Sequence, residues 1–135
     1  MVNINITYND DLNCTLTHGP SGATIQTTAP TDNGGKGDKF SPTDLVAGAL
    51  AACMATIMGK VADRKNFSLK GMSINVGKEM SASPRRIAKL TVEINVPLPT
   101  DHPDKDLLVN AAMTCPVHGS LHPETIIDIT WNWIG

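Results

Sequence analysis

Apolar and polar residues alternate with period two at the start of the chain. Val2, Ile4 and Ile6 interleave with Asn3, Asn5 and Thr7, and Leu12, Cys14 and Leu16 interleave with Asn13, Thr15 and Thr17. That spacing predicts two strands joined at Asn9-Asp10-Asp11, with Gly19-Pro20-Ser21-Gly22 turning into a third strand over 23–27. Residues 29–39 have no periodicity and read as a surface loop. Ser41-Pro42-Thr43-Asp44 then opens a helix that runs to about Asp63: Ser41 caps, Pro42 suits the first helical position, and Asp44 reaches back to the free amides. Period two returns with Met72, Ile74 and Val76, and again with Ala88, Leu90, Val92, Ile94 and Val96, the two strands being linked through Ser81-Ala82-Ser83-Pro84. Leu107, Leu108, Ala111 and Ala112 give helical spacing up to Cys115, where Pro116 is expected to stop the helix. A last strand places Thr125, Ile127, Ile129, Trp131 and Trp133 on one face. The order β-β-β-α-β-β-α-β predicts a single α+β domain over 1–135, with helices on a mostly antiparallel sheet.

One stretch departs from amphipathic patterning. Leu45 to Met58 is apolar apart from Gly48 and Thr56, and at 14 residues it is short for a bilayer span and fits a buried core helix. A helix apolar on every side needs cover all round, which one small sheet does not supply, so a second subunit is expected. Ala47, Gly48, Ala49, Ala51, Ala52 and Ala55 would let another backbone approach closely.

Charge and cysteine usage narrow the function classes. With 11 Lys+Arg against 13 Asp+Glu and a net charge of -2, the chain lacks the basic excess that nucleic-acid binding requires. Three cysteines (Cys14, Cys53, Cys115) without short spacings are unlike a disulfide-stapled secreted scaffold. The alternating N-terminus is unlike a signal peptide, so a cytoplasmic location and no membrane partner are expected.

Free thiols in a reducing compartment serve burial or reactivity. Cys14 lies on the Leu12–Leu16 face and reads as core, and Cys53 among Ala51, Ala52, Met54 and Ala55 also has the surroundings of a buried side chain. Cys115, at a helix C-terminus in this reading, meets a negative pole that disfavours a thiolate. Cys115, His118 and His122 have a spacing that could suggest zinc, but Pro116 and Gly119 break the helical face and no fourth ligand is near, so no metal is expected. His118 as a base for Cys115 is a further option. Gly34-Gly35-Lys36-Gly37 lacks the ending of a phosphate loop, and Arg85-Arg86 reads as a solvated strand start.

Phe40-Ser41-Pro42-Thr43-Asp44-Leu45-Val46, then Ala51-Ala52-Cys53, Pro84-Arg85-Arg86-Ile87 and Cys115-Pro116-Val117, together resemble the OsmC/Ohr family of osmotically inducible and organic-hydroperoxide-resistance proteins of bacteria. The likeness spans nearly the whole chain. It implies antiparallel sheets with a long central helix, an intertwined homodimer, and a cofactor-free thiol peroxidase of oxidative stress defence. In it Cys53 would attack an organic hydroperoxide, Cys115 would resolve the sulfenic acid as a disulfide, and a dithiol reductant would reopen it. The alternative within the family is a protein that binds a small apolar or electrophilic molecule at the dimer cleft. The family's peroxidases hold their thiolate with an Arg from the N-terminal strands and a Glu ten residues before the reactive Cys. Here that position is Thr43, beside Asp44, and no Lys or Arg precedes Lys36. Support for a Cys53 thiolate would therefore come from Lys39, Arg85 or Arg86.

Overall fold

The structure, a computed structural model, describes residues 1–135. Its elements are β1 (Ile4–Tyr8), β2 (Asn13–His18), β3 (Thr24–Thr28), α1 (Pro42–Arg64), β4 (Ser73–Met80), β5 (Ile87–Val96), α2 (Lys105–Ala112), α3 (Pro116–Gly119) and β6 (Ile126–Trp133). They form two compact units, Met1–Val46 and Ala47–Gly135.

In the first unit β1, β2 and β3 make the antiparallel meander that the alternation predicts, with Ile6 opposite Leu16 and Leu16 opposite Ile25. Alternation comes with half-burial in β2 but not in β1. Every residue of β1 is exposed, and Ile4, Ile6 and Tyr8 keep 55%, 59% and 58% of their surface in solvent. Period two makes a strand; it does not supply a cover. The loop after β3 contains one turn of 3-10 helix over Thr31–Asn33. Its glycines have conformational rather than phosphate-binding reasons: Gly34 lies at φ 88°, and a side chain at Gly35 would collide with the Ala29 carbonyl.

The start of α1 follows its sequence closely. Ser41 Oγ accepts the Asp44 N–H at 3.1 Å while Asp44 Oδ2 accepts the Ser41 N–H at 2.9 Å, a reciprocal cap with Asp in the position more often held by Glu. The far end closes as a Schellman motif. Asn66 takes φ 60°, its N–H reaches Asp63 O at 3.2 Å, and the Phe67 N–H reaches Ala62 O at 3.0 Å.

In the second unit the sheet order is β4-β5-β6. β4 pairs antiparallel with β5, but β6 pairs parallel with it, from Lys89 opposite Ile126 to Val96 opposite Trp133. The mostly antiparallel expectation holds for β1-β2, β2-β3 and β4-β5, and β5-β6 is the exception: α2 and α3 form the long crossover that a parallel pair requires. β5 is the central strand, so Leu90, Val92, Ile94 and Val96 are fully buried. They form one core with Leu50, Met54 and Met58 of α1 and Leu108 of α2.

By length and composition alone α1 could cross a membrane. Its buried row of Ala47, Leu50, Met54, Met58 and Val61 is instead part of the chain's own core. The helix is not covered all round within one chain, because Gly48, Ala49, Ala52 and Thr56 are exposed. Large apolar side chains occupy one row and small residues the other, a division that a hydropathy average conceals.

Candidate functional site

Both candidate reactive cysteines lie in the second unit. Cys53 sits on α1 one residue before the fully buried Met54, partly exposed and packed against the core. The helical repeat stacks it between Leu50 and Ile57, so the burial of the Leu50–Met54–Met58 row fixes its direction.

Cys115 is placed differently from the sequence expectation. α2 ends at Ala112, and Cys115 does not terminate it; it is the N-cap of α3, with Pro116 in the first helical position. Proline has no N–H to leave unsatisfied there, so the residue read as a helix stop is a helix start. The Cys115 Sγ accepts the His118 N–H at 3.4 Å, and the Gly119 N–H donates to Cys115 O at 3.1 Å. The thiol therefore faces backbone N–H groups rather than the negative end of a helix. It is also 3% exposed. Burial pushes the Cys115 thiol up from its ordinary value of 9.0, Cys53 adds to the rise, and the His118 and Val117 amides oppose it.

Cys53 lies near enough to act on the Cys115 thiol, and both are free thiols. The structure thus brings together two of the three cysteines from distant parts of the sequence. Cys14 lies on β2 opposite Tyr8 on one side and Thr27 on the other.

The other candidates take separate places. His118 reaches Cys115 through its backbone amide. His122 Nδ1 accepts the Glu124 N–H at 3.0 Å, and Cys115, His118 and His122 do not assemble into a metal-binding cluster. Lys39 pairs with Asp38 at 3.4 Å on the loop. Arg86 is a pinned residue rather than a solvated strand start: its Nη2 meets Glu124 at 3.2 Å and its Nη1 donates to Ile87 O at 3.3 Å. Beside burial, Cys53 and the backbone amides of Val117 and His118 act on the Cys115 thiol. The amides of Val117 and His118 went unrecognised in the sequence; their signal was Pro116 read as N1, which makes Cys115 the cap.

A family model described as OsmC-like protein matches residues 35–130, a span that includes the helix with Cys53, strands β4 and β5, and Cys115. The chain belongs to the OsmC-like family. A protein from Psychrobacter arcticus 273-4, named for osmotic stress induction and a detoxification response, is 38% identical with a TM-score of 0.91, over 98% of this chain and 96% of its own. An organic hydroperoxide resistance protein OsmC from Legionella pneumophila shares the fold at 18% identity and a TM-score of 0.73, over 98% and 97% of the two chains. The organic hydroperoxide resistance protein OhrB of Bacillus subtilis does so at 18% identity and a TM-score of 0.64, over 98% of each chain. No curated protein matches the chain. The α+β architecture, with two three-stranded sheets and one long helix, is the OsmC-like fold.

Proposed function

We propose that this protein is a thiol peroxidase that reduces organic hydroperoxides, with Cys53 attacking and Cys115 resolving. The observation that carries the reading is the proximity of a partly exposed thiol to a buried one. Family membership supports it, as do structural relatives named for organic hydroperoxide resistance. The Cys53 thiolate attacks the O–O bond, giving a sulfenic acid and an alkoxide that takes a proton and leaves as the alcohol. Cys115 then attacks the sulfenic sulfur. The sulfenic hydroxyl leaves with the Cys115 thiol proton as water, and an intramolecular disulfide remains. A dithiol reductant returns the pair to thiols.

The working form in this proposal is a homodimer. The open row of small residues on α1 and the uncovered Ile4, Ile6 and Tyr8 are the surfaces that support it.

The test is cumene hydroperoxide consumption by the reduced protein, followed by peptide mapping. The reaction is expected to speed up as pH rises from 7 to 9, because the thiolate is the nucleophile. Cys53→Ser should abolish it, Cys115→Ser should form no intramolecular disulfide, and Cys14 should stay reduced. Reaction no faster than that of a free thiol would defeat the proposal in favour of small-molecule binding at the dimer cleft.

A further inference from the structure

We infer that reduction of the Cys53–Cys115 disulfide runs with one polarity: the incoming thiolate attacks the Cys53 sulfur, and Cys115 leaves into the backbone amides that cap it. The inference rests on the thiol-pair reading above and adds which sulfur the reductant meets.

Thiol–disulfide exchange depends on access to the attacked sulfur and on the basicity of the leaving thiolate. Access differs between the two positions. Cys115 is 3% exposed in the core, whereas Cys53 lies on the partly exposed flank of α1. Attack in line with the S–S bond needs room behind the attacked sulfur. Cys115 leads straight into Pro116 and the α3 turn, and the His118 N–H donates to its Sγ at 3.4 Å.

Leaving-group basicity pulls the other way, since burial pushes the Cys115 thiol up. The Val117 and His118 amides offset part of that rise by donating to the departing sulfur. Access decides, because a sulfur that cannot be reached is not attacked however good its partner is at leaving. The raised value also helps completion. At neutral pH the departed Cys115 takes up a proton and loses the nucleophilicity it would need to displace the reductant.

A thiolate of the dithiol forms a bond to Cys53 Sγ, the Cys53–Cys115 bond breaks, and its electron pair leaves on Cys115 Sγ. The second thiol, as thiolate, attacks the reductant's own sulfur in the mixed disulfide and releases the Cys53 thiolate. The reductant departs as a cyclic disulfide, two electrons poorer.

The test uses wild-type protein whose disulfide is made with diamide, so the polarity is read even from a protein that consumes no hydroperoxide. The oxidised protein is exposed briefly to excess glutathione, quenched in acid and mapped by peptide mass spectrometry. Glutathione should occupy Cys53 at least tenfold more than Cys115. In parallel, the reduced Cys115→Ser protein should react with 5,5′-dithiobis(2-nitrobenzoate) through Cys53 at least tenfold faster than reduced Cys53→Ser does through Cys115, with Cys14 labelling subtracted as common to both. Glutathione mainly on Cys115, equal labelling rates, or no Cys53–Cys115 disulfide under diamide would each overturn the inference. Cumene hydroperoxide consumption fails or succeeds separately and reports on the peroxidase alone.

Discussion

Replacing Ala52 by Arg separates a face of α1 that faces water from one that meets a second chain. In a single chain Gly48, Ala49, Ala52 and Thr56 are exposed. The Thr56 hydroxyl is already satisfied by the Ala52 carbonyl at 2.7 Å, so this face presents little but methyl groups and backbone. Were the monomer the working form, Ala52→Arg would be an exposed change between two good helix formers, worth within about 0.5 kcal/mol. In a dimer that packs this face, each chain buries an unpaired guanidinium, at a cost of several kcal/mol per chain. Twofold symmetry brings two such charges into one interface and roughly doubles the penalty per dimer. Set against the ~5–15 kcal/mol that holds a typical domain, that is enough to dissociate or unfold it. Sedimentation equilibrium at micromolar concentration should give a dimer for the wild type and monomer or unfolded chain for the variant. Urea unfolding of the wild type should shift to a higher midpoint as protein concentration rises, since association stabilises by mass action. A wild type that sediments as a monomer, or a variant that remains dimeric and within 0.5 kcal/mol of the wild type, would refute the reasoning.

Leu50→Ala removes a fully buried side chain from the row that orients Cys53, and by the cost of comparable core truncations it should destabilise by about 3–5 kcal/mol. Urea unfolding checks it, and a loss below about 1 kcal/mol would mean that α1 is not anchored by this row. Cys115 should contribute a pH-dependent term. The unfolded thiol ionises at its ordinary 9.0 while burial keeps the folded one protonated, so its contribution is present below pH 9 and is lost as pH climbs through the raised folded value. The stability difference between wild type and Cys115→Ser, measured under reducing conditions at pH 8 and pH 10, should therefore move against the wild type at pH 10; a constant difference would show no linkage.

What the chain discloses by itself depends on how far apart the responsible residues lie. The reciprocal cap of Ser41 and Asp44 needs only neighbouring residues, and it is present as written. The strands over 73–80 and 87–96 are visible in their alternation, but direction is not, because a period of two describes a parallel and an antiparallel strand equally well. The parallel β6 was hidden for that reason, although the long connection from Val96 to Ile126 left room for a crossover. Cys115-Pro116 was ambiguous for a local reason, since proline both ends one helix and begins another, and the choice decides whether the thiol meets carbonyls or amides. The pairing of Cys53 with Cys115 has no local signal at all; it came from family resemblance, and the chain brings the two together only through the core that seats both. The apolar run on α1 was the most deceptive feature. Leu50, Met54 and Met58 differ from Gly48, Ala49 and Ala52 in volume far more than in polarity. The bulky row fills the core of its own chain, and the small row leaves a helix surface on which another backbone can come close.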